Sequence, residues 1–218
     1  ERETEYVSLT HPDRYAFYSG EIVSSDGPRI PVAEYRDAIG ERVVEHSTAK
    51  WARWNRDEYL VGALARFNNN YEQLHPPAQA AAQRLGMEPP VHNPFAMTVA
   101  QLIECIHCVE DAIELTDELV SRGTDRGQQQ AEVEAKTGLG VGAVEAPRGL
   151  LIHEYEYDSA GKCVSANHII PTAQTQANLN RDMQEFTPRI MDMSPDRIQH
   201  LLEMLVRAYD PCISCSTH

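Results

Sequence analysis

The residue types with the most chemistry in them close the chain: Asp210-Pro211-Cys212-Ile213-Ser214-Cys215-Ser216-Thr217-His218. Cysteines separated by two residues can turn both sulfurs toward one ion, and soft thiolates select metals such as zinc, nickel or iron. Pro211 stiffens the backbone just before the first sulfur. The spacing predicts a metal site without naming the metal; the alternative is a pair of small buried hydrophobes with inert thiols. A second pair, in Cys105-Ile106-His107-Cys108, has the same spacing but sits within a long amphipathic segment. There both sulfurs flank the apolar stripe while His107 points to the opposite side, so these read as core cysteines. His153 and the run Asn68 to Asn70 have no nameable partner and read as structural.

The element that must deliver the terminal cysteines is a helix with Ser194 as N-cap and Pro195 in its first position. Its apolar face is Ile198, Leu201, Leu202, Leu205 and Val206, and it stops before Pro211. Ahead of it, Leu150 to Tyr157 and Lys162 to Ile170 alternate or run apolar around Asp158-Ser159-Ala160-Gly161, which predicts a β-hairpin near residues 150–170. The clearest long helix spans Met97 to Val120, where Val99, Leu102, Ile103, Ile106, Val109 and Ile113 make one stripe that must pack against something large. Gly123 to Gly142, with five glycines and the Gln128 to Gln130 run, reads as a loop approaching a site. Helical patterns also run over Ala33 to Arg53 and over Ala78 to Leu85, the latter stopping before Gly86. Tyr59 to Phe67 is apolar but ends in a turn-forming asparagine run. Residues 1–35 interleave Pro12, Gly20, Gly27, Pro28 and Pro31 with short apolar runs and read as strands or loops. No internal repeat is present, and the simplest sum is one α+β unit over residues 1–218 with a metal-ligand segment at 206–218.

Composition narrows the partners. With 19 Lys plus Arg against 33 Asp plus Glu, the formal charge of -14 offers no basic stripe for a phosphate backbone, so nucleic acid is excluded as a partner. No apolar run approaches the length needed to span a bilayer. Five cysteines, four of them in the two pairs, are an odd number in a chain too long for a disulfide scaffold. That argues for reduced thiols or thiolate ligands and a cytoplasmic location. The chain opens at Glu1 without a start methionine or an apolar signal core, and this reads as a fragment or a processing product.

Against this background, the segment from Val206 through Tyr209-Asp210-Pro211-Cys212 and Cys215 to His218 resembles the C-terminal signature of nickel-iron hydrogenase large subunits. The resemblance implies that Cys212 is a terminal nickel ligand and that Cys215 bridges nickel and iron. It also implies that a precursor extension is removed just after His218. Glu145-Ala146-Pro147-Arg148-Gly149 resembles the loop that places an arginine over the dinuclear centre of that family. A guanidinium fixed there can polarise a small ligand or assist proton transfer, and can orient Asp210; the bland alternative is a surface arginine after a proline. Asn167-His168-Ile169-Ile170-Pro171-Thr172 resembles the strand end that holds the carbonyl and cyanide ligands of iron, with the Thr172 hydroxyl and backbone groups beside Pro171 as donors. The backbone carbonyl of His168 and the imidazole of His218 match ligands of the family's magnesium site.

The implied fold is the helix-rich hydrogenase large-subunit fold, of which this chain is similar to the C-terminal half. The implied reaction is reversible heterolytic cleavage of hydrogen into a proton and a hydride, with Cys212 receiving the first proton and Arg148 and Asp210 beside it. One departure matters: the family's first cysteine pair, in an Arg-x-Cys-Gly-x-Cys pattern with a nearby glutamate, is absent from this sequence. Two of the four thiolates must therefore come from an N-terminal half that is another polypeptide or was removed. Electrons would leave through iron-sulfur clusters of a small subunit, and the sequence context most resembles cytoplasmic multi-subunit enzymes coupled to nicotinamide or deazaflavin. Two other readings stand beside this one. The first is a zinc-binding structural module using both cysteine pairs. The second is a metal-free electron-transfer relative, against which the retained Cys212, Cys215 and His218 argue.

Overall fold

The computed structural model describes residues 1–123 and 133–217. Its architecture is α+β, as the residue patterns predict. The strand β1 (Glu5–Thr10) is buried along its whole length. It pairs antiparallel with β2 (Glu21–Ser24) and parallel with β6 (Tyr59–Leu60), and β2 carries β3 (Arg29–Ile30) outside it. Because side chains alternate across a strand, Tyr6 faces a core built on the helices, whereas Val7 and Leu9 face a second core shared with the hairpin strands. The prolines and glycines of residues 1–35 fall between these strands, and so the segment that looks irregular in sequence contains a central strand.

After β6, Gly62 opens α2 (Ala63–Asn70), followed by α3 (Pro76–Arg84) and the long α4 (Met97–Arg122). The expected hairpin is present as β8 (Gly149–Tyr157) and β9 (Cys163–Ile169), and β7 (Gly138–Ala146) completes a three-stranded antiparallel meander. From β9 the chain enters α5 (Pro171–Phe186), whose buried face includes Thr172, Gln174 and Asn178. Gln174 ties the layers together: its amide donates to the Leu150 carbonyl at 2.5 Å and its oxygen accepts from Tyr59 at 3.1 Å. The predicted final helix is α6 (Pro195–Tyr209), and a short α7 (Ile213–Ser216) follows. No helix among the described residues is long and apolar enough to cross a membrane.

Four sequence expectations are overturned. The segment Ala33 to Arg53 is not one helix. It holds a four-residue α1 (Tyr35–Ala38), after which the antiparallel pair β4 (Gly40–Arg42) and β5 (Trp51–Arg53) takes over. Gly40 and the β-branched Val43, Val44 and Thr48 oppose continued helix. Asn68 to Asn70 form the last turn of α2 rather than a loop. Their side-chain amides bond to other parts of the chain, Asn68 bonding the Val91 backbone at 2.9 and 3.0 Å and Asn70 donating to the Leu9 carbonyl at 2.9 Å, while Asn70 Oδ1 is left without a partner among the described residues. The glycines at 138, 140 and 142 lie in β7, paired residue by residue with β8, instead of in a loop; the Gln128 to Gln130 run lies outside the described residues.

The fourth correction concerns α4. Its buried residues are Met97, Ala100, Ile103, Glu104 and His107, whereas Leu102, Val109 and Ile113 are 56%, 60% and 52% exposed. At 100° per residue these three lie on nearly the opposite side from the packed face. Cys105 and Cys108 are exposed, so they are not core cysteines. His107 is the buried member of that segment, its ring within 5 Å of both Tyr15 and His75 (centroids 4.8 and 4.7 Å).

Candidate metal centre

Three element ends meet at one cavity of about 280 Å³: the turn between β7 and β8, the junction of β9 with α5, and the segment after α6. Helix α6 ends because Asp210 adopts a left-handed conformation (φ 47°) and Pro211 cannot continue the ladder. Cys212 then precedes α7, and that single turn carries Cys215 back over it. The two cysteines stand 5.4 Å apart at Cα, with their sulfurs joined.

The turn is tied down on each side. The Cys212 amide donates to Thr172 Oγ1 at 3.0 Å, fastening the first cysteine to the N-terminus of α5. The Ser216 hydroxyl donates to the Cys212 carbonyl at 3.2 Å, and Thr217 bridges in antiparallel fashion to Ala49. Arg148, from the β7–β8 turn, reaches Asp210 twice, Nε donating to its carbonyl at 2.8 Å and Nη2 to Oδ1 at 3.1 Å. Both side chains of this pair are 41% exposed, so its value is orientation of the guanidinium more than stability. Asp210 is thus the residue that holds Arg148 two positions from the first sulfur.

The cavity wall is mostly apolar, with Pro147, Leu151, Ile170 and Pro171 beside the sulfurs, Thr172 and Arg148. Of the residues singled out in sequence, Arg148, His168, Pro171, Thr172, Cys212 and Cys215 all line it, and Asp210 touches it through Arg148. His218 lies outside the described residues. Cys105 and Cys108 are elsewhere, exposed on α4. Among the described residues no group of three or more His, Cys, Asp or Glu side chains is arranged to hold a metal ion, so the two cysteine pairs do not converge on a four-thiolate site within this chain.

His153 is a wall residue that the sequence reading sets aside. Its ring stacks on that of His168 at 4.3 Å, and the Tyr155 hydroxyl sits 2.9 Å from His153 Nδ1 and 3.0 Å from His168 Nε2. Burial, with the neighbouring His168, pushes the His153 imidazole below the usual histidine range. The signal for this pair is in the hairpin register: His153 and His168 are direct cross-strand partners.

The donor set suits a soft metal: two convergent sulfurs, an apolar wall, a guanidinium held in place and a hydroxyl at a helix N-terminus. Two thiolates would leave other coordination positions of such a metal open.

Comparison with known proteins follows the same line. Residues 12–218 match the family described as nickel-dependent hydrogenase. The chain is 38% identical over 206 residues to sulfhydrogenase 1 subunit alpha of Pyrococcus furiosus, which covers 94% of this chain and 47% of that protein. It is 31% identical to the NAD-reducing hydrogenase HoxS subunit beta of Cupriavidus necator, covering 94% of this chain and 45% of that one. Among solved structures it superposes on an NAD+-reducing [NiFe]-hydrogenase in the H2-reduced state with a TM-score of 0.84 at 27% identity, over 100% of this chain and 51% of that one. The Ni-Fe-Se hydrogenase from D. vulgaris Hildenborough shares the fold at a TM-score of 0.54 and 15% identity, over 99% of this chain and 45% of that one. The chain spans about half the length of the curated relatives it matches.

Proposed function

The chain belongs to the nickel-dependent hydrogenase family and has the nickel-iron hydrogenase large-subunit fold, and on that premise we propose that it is the C-terminal half of a catalytic subunit for the reversible oxidation of molecular hydrogen to protons and electrons. The observation that carries this reading is the convergence of Cys212 and Cys215 beneath an arginine held by Asp210 at the wall of an apolar cavity.

A nickel-iron centre held by these sulfurs, with carbonyl and cyanide on the iron, would supply the Lewis acidity that polarises hydrogen. In this reading the reduced Cys212 thiolate would take a proton at Sγ. Arg148 lines the same cavity, where its guanidinium would stabilise developing negative charge. Asp210 keeps it there through both contacts. Thr172 Oγ1 accepts from the Cys212 amide, so its own hydroxyl hydrogen would be free to hold a cyanide on the iron, with backbone groups beside Pro171 as further donors. The His168 carbonyl and His218 would contribute to a magnesium site.

The remaining two thiolates would come from the N-terminal half of the large subunit, and electrons would pass to iron-sulfur clusters of a small subunit. The relatives' names support such an assembly, since they are subunits and one is NAD-reducing. Further subunits using nicotinamide or deazaflavin, and a cytoplasmic location, belong to the same proposal. The test is an infrared spectrum of the purified assembly in the region of metal-bound carbonyl and cyanide stretches, with metals quantified on the same sample. Both bands with nickel and iron present support the reading. A silent window with equimolar zinc points to a structural zinc module, and a silent window without metals points to a metal-free electron-transfer relative.

A further inference from the structure

A buried cation outside the cavity lining grips the loop that carries Arg148. Arg66, 1% exposed on α2, forks onto Glu104 of α4, with Nε and Nη2 each 2.6 Å from a carboxylate oxygen. The two terminal nitrogens reach the end of β7 and the turn after it: Nη1 donates to Glu145 Oε2 and to the Ala146 carbonyl, both at 2.9 Å, and Nη2 donates to the Pro147 carbonyl at 3.2 Å. Arg66 therefore holds three successive residues up to the one before Arg148. Burial alone would depress its guanidinium, but Glu104 and Glu145 outweigh that and keep it charged.

Charge neutralisation does not account for this geometry. An ammonium would supply the same single charge, but only the planar fork reaches two carboxylates and two carbonyls together. The Pro147 ring fixes φ on one side of that residue, and the bond from Arg66 fixes its carbonyl on the other, so the plane of the Pro147–Arg148 peptide is set. Next to it, Gly149 (φ +130°) lies so close to Gly62 that an added Cβ would come within 2.6 Å of the Gly62 nitrogen. Gly62 opens the helix that carries Arg66 one turn later. The loop is seated on the start of α2 and clamped from its second turn.

We propose, resting on the hydrogenase reading above, that Arg66 is a positioning residue of the metal centre: through the Ala146 and Pro147 carbonyls it sets the direction from which the Arg148 guanidinium enters the cavity. A shift of about 1 Å in a reacting group can cost on the order of a hundredfold in rate, so loss of the fork is read in turnover before it is read in substrate affinity.

The experiment uses the complete large subunit in its assembly. Arg66→Lys, Arg148→Lys and Tyr15→Phe are compared with wild type for nickel and iron content, infrared bands, kcat and KM for hydrogen, and hydrogen–deuterium exchange. Tyr15 donates to Glu104 at 2.7 Å, so Tyr15→Phe perturbs the same buried network without touching the loop. The expected result is that Arg66→Lys keeps its metals and its KM, while kcat and exchange fall about tenfold to a hundredfold, in the direction of Arg148→Lys, and Tyr15→Phe stays within about twofold of wild type. If Arg66→Lys loses its metals, the charge-neutral double variant Arg66→Gln with Glu104→Gln is read in the same way. Wild-type kcat in a fully loaded Arg66→Lys, or loss of metals in both Arg66 variants, overturns the positioning role in favour of a structural one. Absence of nickel and of carbonyl and cyanide bands from the wild-type assembly overturns the hydrogenase reading instead, and so the two failures are distinct.

Discussion

Alanine at Gly149 tests how rigidly the arginine loop is seated. At φ +130° a side chain occupies a region that only glycine populates readily, which costs about 1–3 kcal/mol. The added Cβ would also overlap Val61 and come within 2.6 Å of the Gly62 nitrogen. The Val61 methyl can rotate away, but the Gly62 amide is backbone at the β6–α2 junction, so relief requires the two segments to part. Overpacking of this kind adds about 1–3 kcal/mol, for a total of about 2–6 kcal/mol. Two other glycines calibrate the series. Gly62→Ala carries a similar conformational cost (φ +104°) but meets the Arg148 carbonyl only at 3.0 Å, which predicts about 1–3 kcal/mol. Gly86→Ala has φ +68° and open space around it, which predicts about 1 kcal/mol. Urea unfolding of the three variants and wild type, followed by circular dichroism in the presence of reductant, should rank the losses Gly149 over Gly62 over Gly86. A Gly149→Ala protein as stable as Gly86→Ala would refute the claim that the loop and α2 are in fixed contact.

Three further outcomes are expected. Burial lifts the Glu145 carboxyl from 4.5 to about 6, so its protonated form adds stability that is fully present below about pH 4.5 and lost as pH rises through about 6; Glu145→Gln should escape a loss of about 2 kcal/mol that wild type suffers across that window, and parallel urea curves at the two ends would refute this. Cys212→Ser and Cys215→Ser should each abolish nickel retention in the assembly while Cys105→Ser and Cys108→Ser retain it, as measured by elemental analysis. Ile103→Ala, at a fully buried position on α4, should cost about 2–5 kcal/mol, whereas Leu102→Ala, 56% exposed, should stay within about 0.5 kcal/mol in the same assay.

The elements readable in sequence were those whose signals are local. Asp158 to Gly161 between two apolar runs makes a hairpin wherever it occurs, and Ser194-Pro195 ahead of an amphipathic run starts a helix; both are present. The failures share a different cause. Residues 33–53 carry a helical apolar spacing, but β4 and β5, both within that segment, are held by pairing with each other, which a reading for helical period does not register. On α4 the apolar residues run around much of the helix, and only the positions of α2, α3 and α6 decide that Ile103 and His107 turn inward while Leu102 and Val109 do not.

The site divides along the same boundary. Cys212 and Cys215 stand out by residue type and spacing, and Arg148 and Thr172 stand out because the short segments around them resemble those of a known family. Arg66 has no motif: in sequence it is one arginine between Ala65 and Phe67 in an apolar helix, where the expected place for a guanidinium is solvent. Its presence in the core makes sense only once Glu104, 38 residues on, and Glu145, 79 residues on, are brought to it. A buried cation is tolerated when its donors are matched, and here the matching acceptors include two carbonyls of the very loop that carries Arg148. The group that presents the chemistry was therefore visible in the sequence, and the group that aims it was not, because aiming is a property of contacts made across the fold.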